Sequence, residues 1–138
     1  MTAGGKGYCW GDNEYGQLGN GSNSPSLVPA PIAGGLTFDS LSVGKTFTCG
    51  VTITGVAHCW GWGDDAVVAT ESDVPANVPA QVFGSRGLVF KSVTTGQVHA
   101  CGLTAVGEVY CWGMNSYGQL GNGSKDDSVR PVPVPAQP

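Results

Sequence analysis

The chain has 138 residues, of which 41% are apolar and 12% charged, and its formal net charge is −4 at pH 7. These values fit one folded domain and exclude a disordered chain, because apolar residues are plentiful and the sequence contains no blocks of like charge. The acidic balance argues against a nucleic-acid-binding protein, which would present a basic face. The sequence lacks an apolar run near the roughly 18 residues of a membrane-spanning helix, and its first residues lack a signal-peptide stretch. An export signal would therefore lie outside this chain.

Glycine and proline punctuate the sequence, with 23 and nine residues respectively. Frequent breaks of this kind favour many short strands joined by tight turns, so we expect an all-β fold. In chain order, the predicted strands are Lys6–Gly11, Val28–Ile32, Leu36–Val43, Thr46–Thr52, Val56–Gly61, Val78–Val82, Val89–Thr94, Val98–Thr104, Glu108–Gly113 and Val132–Val134.

The predicted strands recur in groups of four. A Cys-Trp-Gly motif begins at residues 9, 59 and 111, a spacing of about 50 residues that is typical of stacked repeat units. Pro29, Pro79 and Pro131 each fall 20 residues after the cysteine of this motif. Because proline cannot donate to a strand ladder, the fourth strand of each unit is predicted at a sheet edge. Four-stranded antiparallel units at a constant period are typical of propeller blades.

One stretch of the sequence carries a more specific pattern. Residues 96–104 read Gly-x-x-His-x-Cys-Gly-Leu-Thr, residues 107–113 read Gly-Glu-Val-Tyr-Cys-Trp-Gly, and Asn115 precedes Tyr-Gly-Gln-Leu-Gly at 117–121. This combination resembles the repeat of the regulator of chromosome condensation (RCC1) family, and the resemblance covers essentially the whole chain. The middle unit departs from it, since residues 62–71 replace the Tyr-Gly-Gln-Leu-Gly stretch, and Phe47 stands where the family carries histidine.

The resemblance implies a β-propeller that serves as a protein-binding platform. Members of this family act in nucleotide exchange on the small GTPase Ran, in chromatin docking, and as secreted bacterial proteins such as a β-lactamase inhibitor. The secreted bacterial type fits this chain better than an intracellular exchange factor, because its cysteines can pair. The repeat specifies the scaffold and leaves the partner open.

The repeat also predicts how the chain is divided. We expect residues 1–35 to form a half-blade of third and fourth strands, and residues 36–87 and 88–138 to form full blades, about two and a half repeats in all. Because a closed propeller needs equal numbers of both halves, we expect the chain to be a piece of a longer propeller. An open solenoid and an oligomer with exposed half-blades are the alternatives. Open strand edges also predict a tendency to self-associate.

The cysteines fall into two pairs and one single residue. Cys49 and Cys59 are ten residues apart, as are Cys101 and Cys111, and each pair is symmetric about a predicted glycine turn. Residues placed in this way lie opposite each other in a hairpin, so each pair is predicted to form a disulfide, with buried reduced thiols as the alternative. Cys9 has no such partner and is predicted to be a free thiol. Oxidised pairs indicate an extracellular or cell-envelope parent protein.

Catalytic and metal-binding chemistry is not indicated. His58 and His99 occupy repeat positions, which favours structural roles, and no nucleophile motif or C-x-x-C pair is present. Asp64-Asp65 and Asp126-Asp127 lie in matching loops that could hold calcium, but they lack the alternating ligands of an EF-hand, so we interpret them as solvated. We therefore expect no enzyme activity, no metal and no cofactor.

Positions that differ between the units are not required by the shared scaffold, and loops on a rigid scaffold often contain binding residues. The candidates for partner-binding loops are Trp62, Asp64, Asp65, Arg86, Lys125 and Arg130. Trp62 suits an interface anchor, with packing between blades as the alternative.

The sequence thus predicts a non-enzymatic protein-binding scaffold, such as an inhibitor or an adhesion module, with another protein as its partner and neither nucleic acid nor membrane. The alternatives are a propeller with a carbohydrate-binding or hydrolytic site in its divergent loops, and a purely structural repeat segment.

Overall fold

The computed structural model describes residues 1–62 and 76–135, and every regular element in these ranges is a β-strand. The strands are β1 Tyr8–Gly11, β2 Ser26–Pro31, β3 Phe38–Val43, β4 Phe47–Thr52, β5 Ala57–Gly61, β6 Ala76–Gln81, β7 Phe90–Thr95, β8 His99–Thr104, β9 Val109–Gly113 and β10 Ser128–Pro133. A search of these ranges for a helix long and apolar enough to cross a membrane finds none.

The strands form three antiparallel sheets. β1 and β2 make a two-stranded sheet, β3 to β6 make a four-stranded sheet in chain order, and β7 to β10 make a second one. Each four-stranded sheet is a meander in which neighbours in sequence are also neighbours in space. The prediction of an all-β fold built from four-stranded antiparallel units is confirmed.

A glycine turn joins the second and third strands of each four-stranded sheet. Gly55 has a φ of 81° and Gly107 a φ of 89°, values in the left-handed region that glycine adopts without steric cost. Around the first turn, the Gly55 amide donates to the Thr52 carbonyl at 2.8 Å, and the Thr52 amide donates to the Val56 carbonyl at 3.0 Å. This tight turn fixes the register in which β4 and β5 pair.

The proline-bearing strands β2, β6 and β10 each lie at the edge of their sheet, as their sequences predict. The predicted bounds of the last strand are wrong, because the strand begins at Ser128 and ends at Pro133 instead of spanning Val132–Val134. Its register shifts between Ser128 and Val132, and Ser128 pairs with Gly113 on the far side of this irregularity. A strand with such an irregularity does not show a continuous alternation of apolar and polar residues in its sequence.

Hydroxyl groups and an apolar core join the two four-stranded sheets. The Ser42 hydroxyl accepts a hydrogen bond from the Thr95 amide at 3.0 Å and lies 2.9 Å from the Thr95 hydroxyl. These bonds bring β3 against β7, the first strands of neighbouring sheets. The buried core between the sheets consists of Phe47, Cys49, Val51, Ala57, Cys59, Val82, Phe90, Val93, Ala100 and Trp112.

One carbonyl group of the loop after β1 accepts two hydrogen bonds from the second sheet. The indole Nε1 of Trp60 donates to the Gln17 carbonyl at 3.0 Å, and the Thr48 hydroxyl donates to the same oxygen at 2.8 Å. All three residues are buried. The loop after β1 is therefore held against β4 and β5 by two hydrogen bonds in a water-excluded environment, where an unmade bond is costly.

Candidate functional site

The two predicted cysteine pairs lie opposite each other in the sheets. Cys49 pairs with Cys59 across β4 and β5, and Cys101 pairs with Cys111 across β8 and β9. The Cα atoms of the pairs are 4.1 Å and 4.0 Å apart, and their sulfur atoms are at bonding distance. Both pairs are compatible with an extracellular location, because disulfides persist in oxidising environments.

The free edge of β1 distinguishes the first sheet from the other two. β5 and β9 each have a neighbour on both sides, whereas β1 pairs only with β2 among the described strands. Cys9 on β1 is a free, buried thiol, and burial raises its pKa. Trp10 is 62% exposed, although its repeat equivalents Trp60 and Trp112 are fully buried.

Two asparagines organise the loops that follow β1 and β9, a role that the sequence analysis did not identify. The side-chain amide of Asn115 donates to the carbonyls of Ser124 and Asp126, each at 3.0 Å, and its oxygen accepts from the Leu120 amide at 2.9 Å. Asn13 makes the same set of contacts in the first loop. Both asparagines are fully buried. The recurrence of Asn13 and Asn115 at the same position in two units was the only signal available.

The aspartates of the third unit belong to this same loop structure. The Asp127 carboxylate accepts a hydrogen bond from the backbone amide of Asn115 at 2.6 Å, and the backbone amide of Asp126 donates to the Ser124 hydroxyl at 3.1 Å. Within residues 1–62 and 76–135, no cluster of three His, Cys, Asp or Glu side chains could hold a metal ion. Asp64 and Asp65 lie outside the described residues.

Both histidines occupy partly buried positions on strands. The Nδ1 atom of His58 lies 3.3 Å from the Val56 carbonyl, and desolvation lowers the pKa of this imidazole against the opposing effect of that contact. Desolvation also lowers the pKa of His99. A Cβ atom at Gly96 would lie 2.7 Å from the Nδ1 atom of His99, so this ring fills the space that glycine leaves.

Trp62 lies directly after β5, at the border of the first and second sheets. It is 40% exposed, and its ring centroid is 5.5 Å from that of Tyr15 in the loop after β1. The side chain therefore packs across the sheets on one face and meets solvent on the other.

A cavity of about 480 Å³ brings together two of the divergent segments. It lies between the end of β6 and strand β10, and both arginines of the chain, Arg86 and Arg130, line it. The guanidinium of Arg130 lies 4.6 Å from the centroid of the Phe83 ring. The remaining lining residues are Ala80, Gln81, Val82 and Gly84.

The position of Arg130 corrects one sequence prediction. It lies on strand β10, so it is not a loop residue, because the strand begins four residues earlier than its Val-Pro pattern indicates. The backbone of Gly84 makes room for it, since a Cβ atom there would come within 3.0 Å of the Arg130 Cγ. Lys125 is exposed and does not line this cavity.

Comparison with known families decides what this scaffold is. The family described as "Regulator of chromosome condensation (RCC1) repeat" matches residues 5–51 and 106–138, and a second profile of the same description matches residues 90–119. The chain belongs to the RCC1 repeat family. The matched residues include the Cys-Trp-Gly motifs that begin at residues 9 and 111. The motif on β5 lies outside them, and the sequence after it departs from the repeat.

Curated RCC1-type relatives are much longer than this chain. The ultraviolet-B receptor UVR8 of Arabidopsis thaliana is 29% identical over 129 residues, which cover 92% of this chain and 29% of the receptor. The E3 ubiquitin-protein ligase HERC2 of Homo sapiens is 37% identical over 131 residues, which cover 94% of this chain and 3% of the ligase. The chain thus spans less than a third of either relative.

Solved structures show the same RCC1-type architecture. Human WBSCR16 superposes with a TM-score of 0.82 at 25% identity, covering 99% of this chain and 36% of its own. Prp20p of Saccharomyces cerevisiae superposes with a TM-score of 0.80 at 20% identity, covering 95% and 34%. Both similarities support β-propeller blades as the fold of the described sheets.

Proposed function

We propose that this chain is a non-enzymatic protein-binding scaffold that recognises a carboxylate-bearing segment of another protein. The observation that carries this proposal is the meeting of both arginines with Phe83 in one cavity between β6 and β10. The Prp20p structure was described with binding to Gsp1p and histones, which supports protein recognition by a related scaffold.

The chemistry of the cavity favours an acidic ligand. Stacking on Phe83 occupies one face of the Arg130 guanidinium and leaves its N–H edge free to bind a carboxylate with two parallel hydrogen bonds. Holding the side chain in one orientation before binding reduces the entropy that binding must overcome. Because the chain carries a net charge of −4, this positive site contrasts with an acidic surface and selects ligands by charge.

The composition of the cavity also favours a protein over a carbohydrate or a hydrolysed substrate. Arginine and aromatic side chains are enriched in protein interfaces and often dominate their binding energy. Among its described lining residues the cavity carries no Asp, Glu, Cys or His that could act as a general acid or base. The carbohydrate-binding and hydrolytic alternatives are therefore less well supported.

A display library of random peptides and a glycan array, probed with the same labelled chain, test the proposal. We expect enrichment of peptides rich in Asp and Glu, and at least a tenfold loss of their binding in the Arg86→Gln/Arg130→Gln variant. The Lys91→Gln/Lys125→Gln variant is the matched control, because it removes the same charge from residues that do not line the cavity. Glycan binding without peptide binding, or equal losses in both variants, would contradict the proposal.

We also infer that the parent protein acts outside the cytoplasm, at the cell surface or in the cell envelope, as exported bacterial proteins do. The two cysteine pairs at bonding distance support this inference. Recovery of both pairs in reduced form from the native source would contradict it.

A further inference from the structure

The two arginines that line the cavity between β6 and β10 are held to different degrees. Arg130 has a contact at each end of its side chain. Its guanidinium carbon lies 4.6 Å from the centroid of the Phe83 ring. Its aliphatic part lies against the backbone of Gly84, because a Cβ atom built there would be 3.0 Å from the Arg130 Cγ and 3.2 Å from its Cδ. The side chain is therefore fixed along its length before a ligand arrives.

The backbone of Arg130 is fixed as well. Arg130 lies in the part of β10 where the register shifts, between Ser128 and Val132. The Ser128 hydroxyl donates to the Arg130 carbonyl at 2.8 Å and accepts from the Arg130 amide at 3.3 Å. These two bonds hold the backbone at a point where the strand ladder is irregular.

Phe83 and Gly84 belong to a tight turn that is itself held from within. The Ser85 amide donates to the Val82 carbonyl at 3.3 Å, and the Ser85 hydroxyl donates to the same carbonyl at 2.7 Å. Ser85 is buried, and Gly84, the third residue of the turn, has a φ of 74° that favours glycine. The surface on which Arg130 rests is therefore formed in advance.

Arg86 lies in a second turn of the same form but is held less firmly. The Leu88 amide donates to the Ser85 carbonyl at 3.0 Å, and Gly87 has a φ of 87°. Arg86 is exposed, and the arginine that stacks on Phe83 is Arg130. A Cβ atom built at Gly87 would meet nothing within 4 Å, so the space beside Arg86 is open. The Arg86 guanidinium can therefore change its orientation.

This difference gives the two cations different effects on a ligand. A guanidinium in a fixed orientation selects a carboxylate by geometry, because its two parallel hydrogen bonds form in only one arrangement. An exposed and mobile charge attracts acidic groups over a distance and accelerates association, with little demand on where the acid lies.

We propose that the segment bound in this cavity carries two acidic residues, of which Arg130 binds one in a fixed orientation and Arg86 attracts the other at a variable spacing. Arg130 then determines how slowly the segment leaves, and Arg86 determines how fast it arrives. Gly84 is a positioning residue, because it leaves the space that the Arg130 side chain occupies. This inference rests on the proposed function and names the ligand of the same cavity.

Peptides of glycine and serine that carry two glutamates test the ligand class. The glutamates are adjacent or separated by one, two or three residues, and a peptide with one glutamate changed to glutamine is the control. We expect the affinities of the two-glutamate peptides to agree within about threefold and to exceed that of the control at least fivefold. One spacing that binds at least tenfold better than the rest, or a control that binds equally well, would overturn the proposal.

Stopped-flow binding of a labelled two-glutamate peptide separates the roles of the arginines. Arg130→Gln is expected to raise the dissociation rate at least tenfold. Arg86→Gln is expected to lower the association rate at least threefold and to weaken its dependence on salt, with the dissociation rate changed less than twofold. Lys125→Gln removes the same charge from a residue outside the cavity and is expected to leave both rates within twofold. The proposal fails if the two arginine variants change the same rate constant.

Two glycine variants test how Arg130 is positioned. Gly84→Ala and Gly87→Ala place the same methyl group at a left-handed backbone position, but only the methyl at Gly84 meets Arg130. We expect Gly84→Ala to raise the dissociation rate at least fivefold and Gly87→Ala to change it less than twofold. Equal effects would rule out the positioning role. If none of the two-glutamate peptides bound the unmodified chain, the proposed function itself would be wrong, whereas binding with indistinguishable arginine variants would remove this inference alone.

Discussion

The Trp60→Ala variant is expected to lose about 3–5 kcal/mol of unfolding free energy, the usual range for removing a fully buried tryptophan. Trp60 packs against Phe38 with ring centroids 5.9 Å apart, and its Nε1 donates to the Gln17 carbonyl. Its removal leaves a cavity and also removes one of the two hydrogen bonds that the Gln17 carbonyl accepts from the second sheet. Since a domain of this size typically has about 5–15 kcal/mol of stability, the variant should unfold at much lower denaturant concentration.

The matched control is Trp10→Ala, which changes the same residue of the same motif. Trp10 is 62% exposed, so its removal is expected to cost less than about 1 kcal/mol. Urea unfolding followed by far-ultraviolet circular dichroism measures both variants. If the two substitutions destabilised the chain equally, the contrast between the buried Trp60 and the exposed Trp10 would be wrong.

The Asn115→Ala variant is expected to lose about 3–5 kcal/mol, because it leaves several buried groups without a partner at once. The carbonyls of Ser124 and Asp126 lose their donor, and the Leu120 amide loses its acceptor. Leu120 is itself fully buried. When the Asn115 side chain is removed, the loop that holds Leu120 in place is expected to become less ordered.

Two further substitutions separate hydrogen bonding from side-chain size. Asn115→Asp has nearly the same shape but replaces the donor with an oxygen that faces two carbonyls, so it should destabilise the chain at least as much as alanine. Asn122→Ala removes only contacts at 3.1 Å and 3.3 Å, to Ser124 and Asn115, and is expected to cost about 1 kcal/mol. Thermal unfolding compares the three. A mild effect of Asn115→Asp would show that packing, rather than the hydrogen bonds, matters here.

The repeat made most of the fold predictable. Setting the Cys-Trp-Gly motifs in register revealed the units, and the symmetric spacing of Cys49 and Cys59 placed them opposite each other on β4 and β5, as the structure confirms. The third strands were predictable because their two-residue alternation is continuous. The start of β10 was not, because the register shift between Ser128 and Val132 interrupts that alternation.

The sequence predicted individual residues of the candidate site but not that they lie close together. Arg86 and Arg130 were singled out as divergent positions, but they are 44 residues apart, with Arg86 in the turn after β6 and Arg130 on β10. Their meeting depends on the path of the chain after β6 and on the space that Gly84 leaves, which no local pattern encodes. The role of Asn115 was likewise hidden, because its bonds reach backbone groups nine and 11 residues away.

The first Cys-Trp-Gly strand differs from the other two in its cysteine and in its tryptophan. On β5 and β9 the cysteine is paired and the tryptophan is fully buried, whereas on β1 Cys9 is a free thiol and Trp10 is 62% exposed. A single scaffold motif therefore supplies stable hairpins in two places and an open strand edge in the third.

Mapping the cysteines tests this contrast most directly. Free thiols are alkylated under denaturing conditions without reduction, and the chain is then digested and analysed by mass spectrometry. We expect one labelled cysteine, Cys9, and two bridged peptides that join Cys49 to Cys59 and Cys101 to Cys111. Four or five labelled cysteines, or a bridge from Cys9 to any other cysteine of the chain, would contradict it.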